Sequence, residues 1–196
     1  MNPCIFDFAT KELSQDAFFC WLLSWANTKY KNYLNKIANN IITKIIDKSI
    51  IVEKIEIFRQ KKDIDFYIII NEKIIIVFED KVKTSFHDNQ LEKYKEIMFE
   101  QFKDYEFYFV YIKNDLVFPN EKCEVEKNGY KVVDIYQIKK FCTRNINNDI
   151  YNDYLTYLKK KIFKYDNFYK IKFSLWGQDE WLGFIYHLIN EEQIEY

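Results

Sequence analysis

Two acids and a lysine, Asp65, Glu79 and Lys81, stand at the outer ends of the apolar runs in IDFYIIINEKIIIVFEDK, 64–81. Carboxylates held side by side repel. A raised pKa on one acid relieves this, as does a neighbouring cation such as Lys81 or a divalent metal between them. Mg²⁺ takes one or two carboxylates, keeps several waters and leaves positions for phosphate oxygens. A lysine beside such an ion can steer a water or neutralise charge on a phosphoryl group. The three residue types therefore outline a site for phosphodiester hydrolysis. The alternative from the residues alone is a solvated pair of strand ends, with Lys81 pairing Asp63 or Asp80.

The chemistry depends on the elements that hold these side chains. Both runs are rich in β-branched and aromatic residues and predict strands over 64–70 and 74–79, and 50–58 predicts a third. A three-residue connection at 71–73 makes Ile70 face Ile74, and therefore Asp65 face Glu79 with Cβ atoms roughly 5 Å apart. Asp63 then faces Lys81. A two-residue loop would set Asp65 against Phe78 and send Glu79 to the other side, and strands apolar on both faces leave that parity open.

Before the meander, 12–30 predicts an amphipathic helix from Phe18, Trp21, Leu22 and Trp25, and 31–47 a second from Leu34 through Ile46. After it, Ser85 and Asp88 have the form of a capping box, opening a helix to about Lys103. A buried strand at 107–112, a polar loop through Glu126 and a short strand at 130–135 follow. Helices are predicted over 136–142 and 149–163, with a last one in SLWGQDEWLGFIYHLINEE.

Asp65 followed by Glu79 and Lys81 as ExK at the end of the next strand resembles the PD-(D/E)XK nuclease superfamily. Gln90 and Tyr94 form QxxxY on the following helix, which looks like the RecB-like branch, and the matching segments are similar to poorly characterised bacterial families of this type. Ile64 stands where the PD form has proline. The resemblance implies a mixed central sheet flanked by helices, a restriction-endonuclease-like core of order α-β-β-β-α-β, with additional C-terminal helices. It implies catalytic roles for Asp65, Glu79, Lys81, Gln90 and Tyr94. Metal ligation by Glu12, Asp65 and Glu79 is implied as well, with position 80, by Asp80 itself or a main-chain carbonyl, as a further ligand. The expected cofactor is Mg²⁺ or Mn²⁺ and the expected partner nucleic acid, DNA by preference, with roles in defence, restriction or repair.

On the residues themselves, Gln90 and Tyr94 lie one helical turn apart and share a face, where Tyr94 could equally be a core aromatic. Glu12 begins a helix, where the macrodipole alone favours an acid. Arg59, Lys61, Lys62 and Lys83 could line an approach for a phosphate backbone, with His87 close by. The stretch KKKIFKYDNFYKIKF, 159–173, interleaves lysines with aromatics as single-strand binders do, and as solvated helix faces do.

Composition bounds these readings. The 196 residues suit one domain, 1–196, with a substantial core, because no linker-like stretch divides them. A formal net charge of −1 argues against a general polyanion coat, so nucleic-acid contact must come from a local patch. With two histidines and four scattered cysteines, zinc chemistry is not expected, and reduced thiols in a cytoplasm are. No apolar run reaches the roughly 18 residues of a membrane span. Two other readings stay open: an inactive binding or assembly module, with Trp21, Trp25, Trp176 and Trp181 as a candidate dimer face, and a phosphoryl-transfer enzyme for small nucleotides.

Overall fold

The computed structural model describes residues 4–9, 11–61, 64–81 and 90–192. Lys62, Asp63, Lys83, Ser85, His87 and Asp88, all named above, lie outside the described residues. The chain forms two compact units, one of 9–134 and one of 1–8 with 135–196.

The larger unit runs α1 (Glu12–Ser24), α2 (Tyr33–Ile46), β1 (Ile55–Lys61), β2 (Ile64–Ile70), β3 (Ile74–Lys81), α3 (Gln90–Gln101), β4 (Glu106–Lys113), α4 (Pro119–Lys127) and β5 (Lys131–Val133). The five strands form one sheet in chain order. The pairs β1–β2 and β2–β3 are antiparallel, as adjacent hairpins require, and β3–β4 and β4–β5 are parallel. The crossover from β3 to β4 carries α3, the usual solution for joining parallel neighbours. The result is the expected mixed α/β layer arrangement, a restriction-endonuclease-like fold.

The β2–β3 turn settles the parity. Ile70 faces Ile74 and the register continues to Phe66 opposite Phe78, so Asp65 is the next residue to meet Glu79. Asn71 and Glu72 both adopt left-handed backbone, φ 51° and 55°, a conformation asparagine tolerates better than most residues. Asn71 also bonds outward: its Oδ1 accepts from the Glu53 and Lys54 amides at 3.0 Å, and its Nδ2 donates to the Ile51 carbonyl at 2.7 Å. One side chain thus fixes both the turn and the segment leading into β1.

The sheet is covered on both faces. Tyr67, Ile69, Val77, Phe109 and Tyr111 pack with Leu91, Tyr94 and Met98 of α3. The alternate positions include Phe66 and Phe78, stacked at 4.4 Å between centroids, and α1 lies against β1, β2 and β3. Truncating Phe66, which is fully buried, would cost about 3–5 kcal/mol.

Three boundaries differ from expectation. Helix α1 ends at Ser24 and does not continue to 30, because Asn35 Nδ2 takes the carbonyls of Trp25, Ala26 and Asn27 at 2.8, 3.1 and 3.0 Å. The first strand starts at Ile55, five residues later than 50. The segment read as a polar loop through Glu126 contains α4. Pro119 sits in its first turn, where its missing N–H costs nothing, and Val125 is buried as its anchor. So few apolar residues leave hardly any periodicity to read.

The smaller unit contains a 3-10 turn at Ile5–Asp7, α5 (Ile135–Phe141), α6 (Asp149–Asp166) and α7 (Gln178–Glu192). Asn148 caps α6 by accepting from the Tyr151 amide at 2.9 Å. A Cβ on Gly183 of α7 would come within 2.3 Å of the Tyr165 carbonyl oxygen, so these two helices cross at a distance only glycine permits. Trp181 packs edge to face with both Trp176 and Phe173, and Trp176 meets Phe173 at a tilt. Among the described residues no helix is long and apolar enough to cross a membrane.

Candidate active site

At the C-terminal end of β3 three consecutive charged residues are buried. Glu79 and Asp80 are 0 % exposed and Lys81 is 8 % exposed. Strand alternation sends them to two faces of the sheet. Glu79 and Lys81 lie with the tyrosine-rich face that packs on α3, and the carboxyl of Asp80 turns to α1.

The first group gathers around Glu79. Lys81 Nζ lies 2.6 Å from Glu79 Oε1, and neither Glu79 oxygen accepts a well-aligned hydrogen bond. Asp65 approaches from β2, where its Oδ2 accepts from the Asp80 main-chain amide at 2.7 Å. That side chain takes a bond the β2–β3 ladder would otherwise make, since the pairing ends at Phe66 and Phe78. The β1–β2 pairing is interrupted at the same level: Gln60, between the paired Arg59 and Lys61, has φ 51° and no partner in the register. Asp65 therefore occupies a gap in the pairing on both sides, and its carboxylate takes over a main-chain bond to β3.

Electrostatics follow from this placement. Burial, reinforced by Asp65 and opposed by Lys81, pushes Glu79 up to about 8. Asp65 is also raised, chiefly by burial, against the Asp80 amide and Lys81. Burial works against the charge on Lys81, but Glu79, Asp65 and Glu12 outweigh it and lift its pKa. Lys81 is accordingly an ammonium, a donor of hydrogen bonds. Glu12, in the first turn of α1, is close enough to act on Asp65, Lys81 and Asp16.

The second group is Asp80, Gln15, Asp16 and Arg59. Gln15 Nε2 donates to Asp80 Oδ1, and the Asp80 and Asp16 carboxyls meet. Burial and Asp16 keep Asp80 well above the usual carboxylate range, and burial raises Asp16 to about 6. The charged form is disfavoured more strongly at Asp80 than its ordinary value implies, chiefly by burial and by the neighbouring Asp16. Arg59 reaches α1: its Nη2 donates to the Leu13 carbonyl, and its Nε is 3.9 Å from Asp16 Oδ2.

The structure thus brings Asp65, Glu79 and Lys81 together, with Glu12 nearby. It corrects the reading of the Asp80 carboxylate as a ligand, because that group is turned to Gln15 and Asp16 on the far face. Only the main-chain carbonyl at this position remains a candidate. Arg59, expected on a phosphate path, is engaged with α1. Tyr94 is 3 % exposed within the α3 core, and Gln90 opens the same helix. Lys62, Lys83 and His87 lie outside the described residues. In the sequence Gln15 and Asp16 are simply polar residues in the first turns of the helix that Glu12 begins. Their spacing of three and four from Glu12 puts them on its helix face, and that was the available signal. Lys113, register partner of Lys81, pairs Glu121 at 2.7 Å, and Tyr111 also donates to Glu121 at 2.6 Å.

Whether these donors suit a divalent metal can be judged from their chemistry. Among the described residues no three His, Cys, Asp or Glu side chains converge in a ligating cluster. Two do approach each other, both carboxylates, and one of them is fully buried without a well-aligned donor. Hard oxygen ligands in this number suit Mg²⁺ or Mn²⁺, which complete their shells with water and substrate phosphate. The donor set fits.

A five-stranded mixed sheet whose central strand ends in Glu79 and Lys81, with Asp65 facing them from the neighbouring strand, defines a nuclease-like α/β protein. A family model described as PD-(D/E)XK nuclease superfamily matches residues 4–170, and the chain belongs to that superfamily. No curated protein and no solved structure matches the chain.

Proposed function

We propose that this chain is a divalent-metal-dependent nuclease that hydrolyses phosphodiester bonds, with DNA as the favoured substrate and Mg²⁺ or Mn²⁺ as cofactor. The observation that carries this reading is the meeting of Asp65, Glu79 and Lys81 Nζ at the gap in the sheet, 2.6 Å separating the ammonium from Glu79. Membership of a superfamily of nucleases supports it.

In this reading Asp65 and Glu79 would hold the ion, with Glu12 and the carbonyl at position 80 as further ligands. When bound, the ion acts as a Lewis acid toward phosphoryl oxygens. Lys81, as an ammonium, donates to a water or to a non-bridging phosphoryl oxygen as negative charge develops there. The water oxygen attacks phosphorus and gives up a proton to solvent, while the bond from phosphorus to the leaving oxygen breaks and that oxygen takes a proton from solvent. Tyr94 packs beneath the site and steadies α3, whose first residue is Gln90.

Calorimetric titration with Mn²⁺ tests the reading, together with cleavage of single- and double-stranded DNA by the wild type and by Lys81→Met. The expected result is metal uptake by both proteins and a loss of cleavage in Lys81→Met of about a hundredfold or more, the usual effect of removing one charge-stabilising donor. Absence of uptake by the wild type, or full activity in Lys81→Met, would refute it. The binding-module alternative draws on one observation, the lack of a third converging acid among the described residues. DNA retention without cleavage in Mn²⁺ would favour it.

A further inference from the structure

Gln15, Asp16 and Asp80 lie apart from the acids assigned to the ion, yet they join the elements that carry those acids. Gln15 and Asp16 are 4 % and 1 % exposed on α1. Gln15 lies one helical turn from Glu12, about 4.5 Å along the axis. Asp80 is the chain neighbour of Glu79, and its amide is the group that Asp65 accepts from at 2.7 Å. A single residue therefore holds Asp65 through its main chain and α1 through its side chain. Lys11, at the N-cap position of α1, provides no side-chain hydrogen bond, and Arg59 grips the Leu13 carbonyl from β1 with a half-exposed side chain. A buried amide bonded to a buried carboxyl is also a costly way to join a helix to a sheet, because apolar contacts would do so without desolvating either group.

We propose that Gln15 and Asp80 are positioning residues: their hydrogen bond clamps α1 to β3 and sets Glu12 against Asp65 and Glu79, tuning uptake of the divalent cation. The inference rests on the nuclease reading for the identity of the ion. Removing the bond leaves Glu79 and Asp65 in place on the sheet but takes away a buried tie between that sheet and the turn that bears Glu12. The loss is therefore transmitted through Glu12, whereas a general loosening of the fold would act with or without it.

The test is a double-mutant cycle on the full chain, reading Mn²⁺ affinity by calorimetry and folding by thermal melting in EDTA. Gln15→Met keeps the volume and removes the donor. It is expected to weaken Mn²⁺ binding about tenfold, and to add no further loss in a Glu12→Gln background, the signature of two residues acting as one unit. Asp80→Asn keeps an acceptor for Gln15 and a donor for Asp16, and is expected to stay within about threefold of wild type. Should Gln15→Met fail to fold, Gln15→Glu enters the same cycle, retaining shape while replacing the amide donor. Equal losses with and without Glu12, or unchanged Mn²⁺ affinity in the Gln15 variant, overturn the clamp and leave the nuclease reading standing. A wild type that takes up no Mn²⁺ overturns both, and that result is read before any variant is made.

Discussion

Glu79 and Asp80 are consecutive, both acids and both fully buried, yet their surroundings differ in kind. Glu79 meets another carboxyl and an ammonium, with oxygens that no well-aligned donor occupies. Asp80 accepts from the Gln15 amide and lies beside a second acid, Asp16, across the strand–helix contact. One side of β3 keeps ligating capacity that the fold does not consume, and the other converts the same functional group into a joint between helix and strand. Burial alone therefore does not mark a functional acid; what its oxygens are left to bind does.

The largest expected contrast is in activity. Neutralising the two acids by near-isosteric amides should have opposite outcomes: on the proposed nuclease reading Glu79→Gln loses a ligand and should reduce DNA cleavage by about a hundredfold or more. Asp80→Asn retains its bonds and should cleave within severalfold of wild type. Steady-state assays on one DNA substrate measure both. Equal loss in the two variants would remove the distinction between the faces.

Stability should run the other way. Glu79→Gln removes a buried carboxyl whose charged form burial and Asp65 disfavour, and the melting temperature without metal should hold or rise, the familiar trade between a strained site and a stable fold. Asp80→Leu strands the Gln15 amide and the Asp16 carboxyl in a dry interior and should destabilise by about 1–3 kcal/mol. A smaller loss, about 1 kcal/mol, is expected for Asn71→Ala, which removes hydrogen bonds from a turn with left-handed backbone. Urea unfolding in EDTA ranks the three. That last variant bears on the comparison because the turn decides which acid falls on which face.

Much of the chemical side was legible before any coordinates. Strand alternation and the ExK spacing put Glu79 and Lys81 on one face, and the apolar runs located β2 and β3 within two residues. Parity was not legible, because Ile at nearly every position gives no face preference, and it took the left-handed Asn71 to resolve it. The structural side was hidden for a different reason. Gln15 and Asp16 look like ordinary helix-start residues, and only the sheet position of Asp80 reveals them as interior partners. Helix α4 escaped notice because one buried Val125 and Pro119 in its first turn define it, with no periodic stripe.

The smallest effect offers a direct reporter of the sealed side. Cys20 lies on α1 one turn beyond Asp16, and burial together with the Asp16 charge pushes its thiol up to about 12. Cys123 on α4 is exposed. Because the thiolate is the reacting form, a pKa three units above the ordinary value of 9.0 lowers its share, and the alkylation rate, about a thousandfold at any pH below both values. Iodoacetamide at pH 8, followed by mass spectrometry, should therefore modify Cys123 first and leave Cys20 almost untouched. In Asp80→Leu the joint is lost and α1 is less tightly held, so Cys20 should gain reactivity while Cys123 keeps its rate. In Glu79→Gln neither should change. Faster labelling of Cys20 in Glu79→Gln would mean that the two faces of β3 are one cooperative unit, and that the division between ligand and joint is not physical.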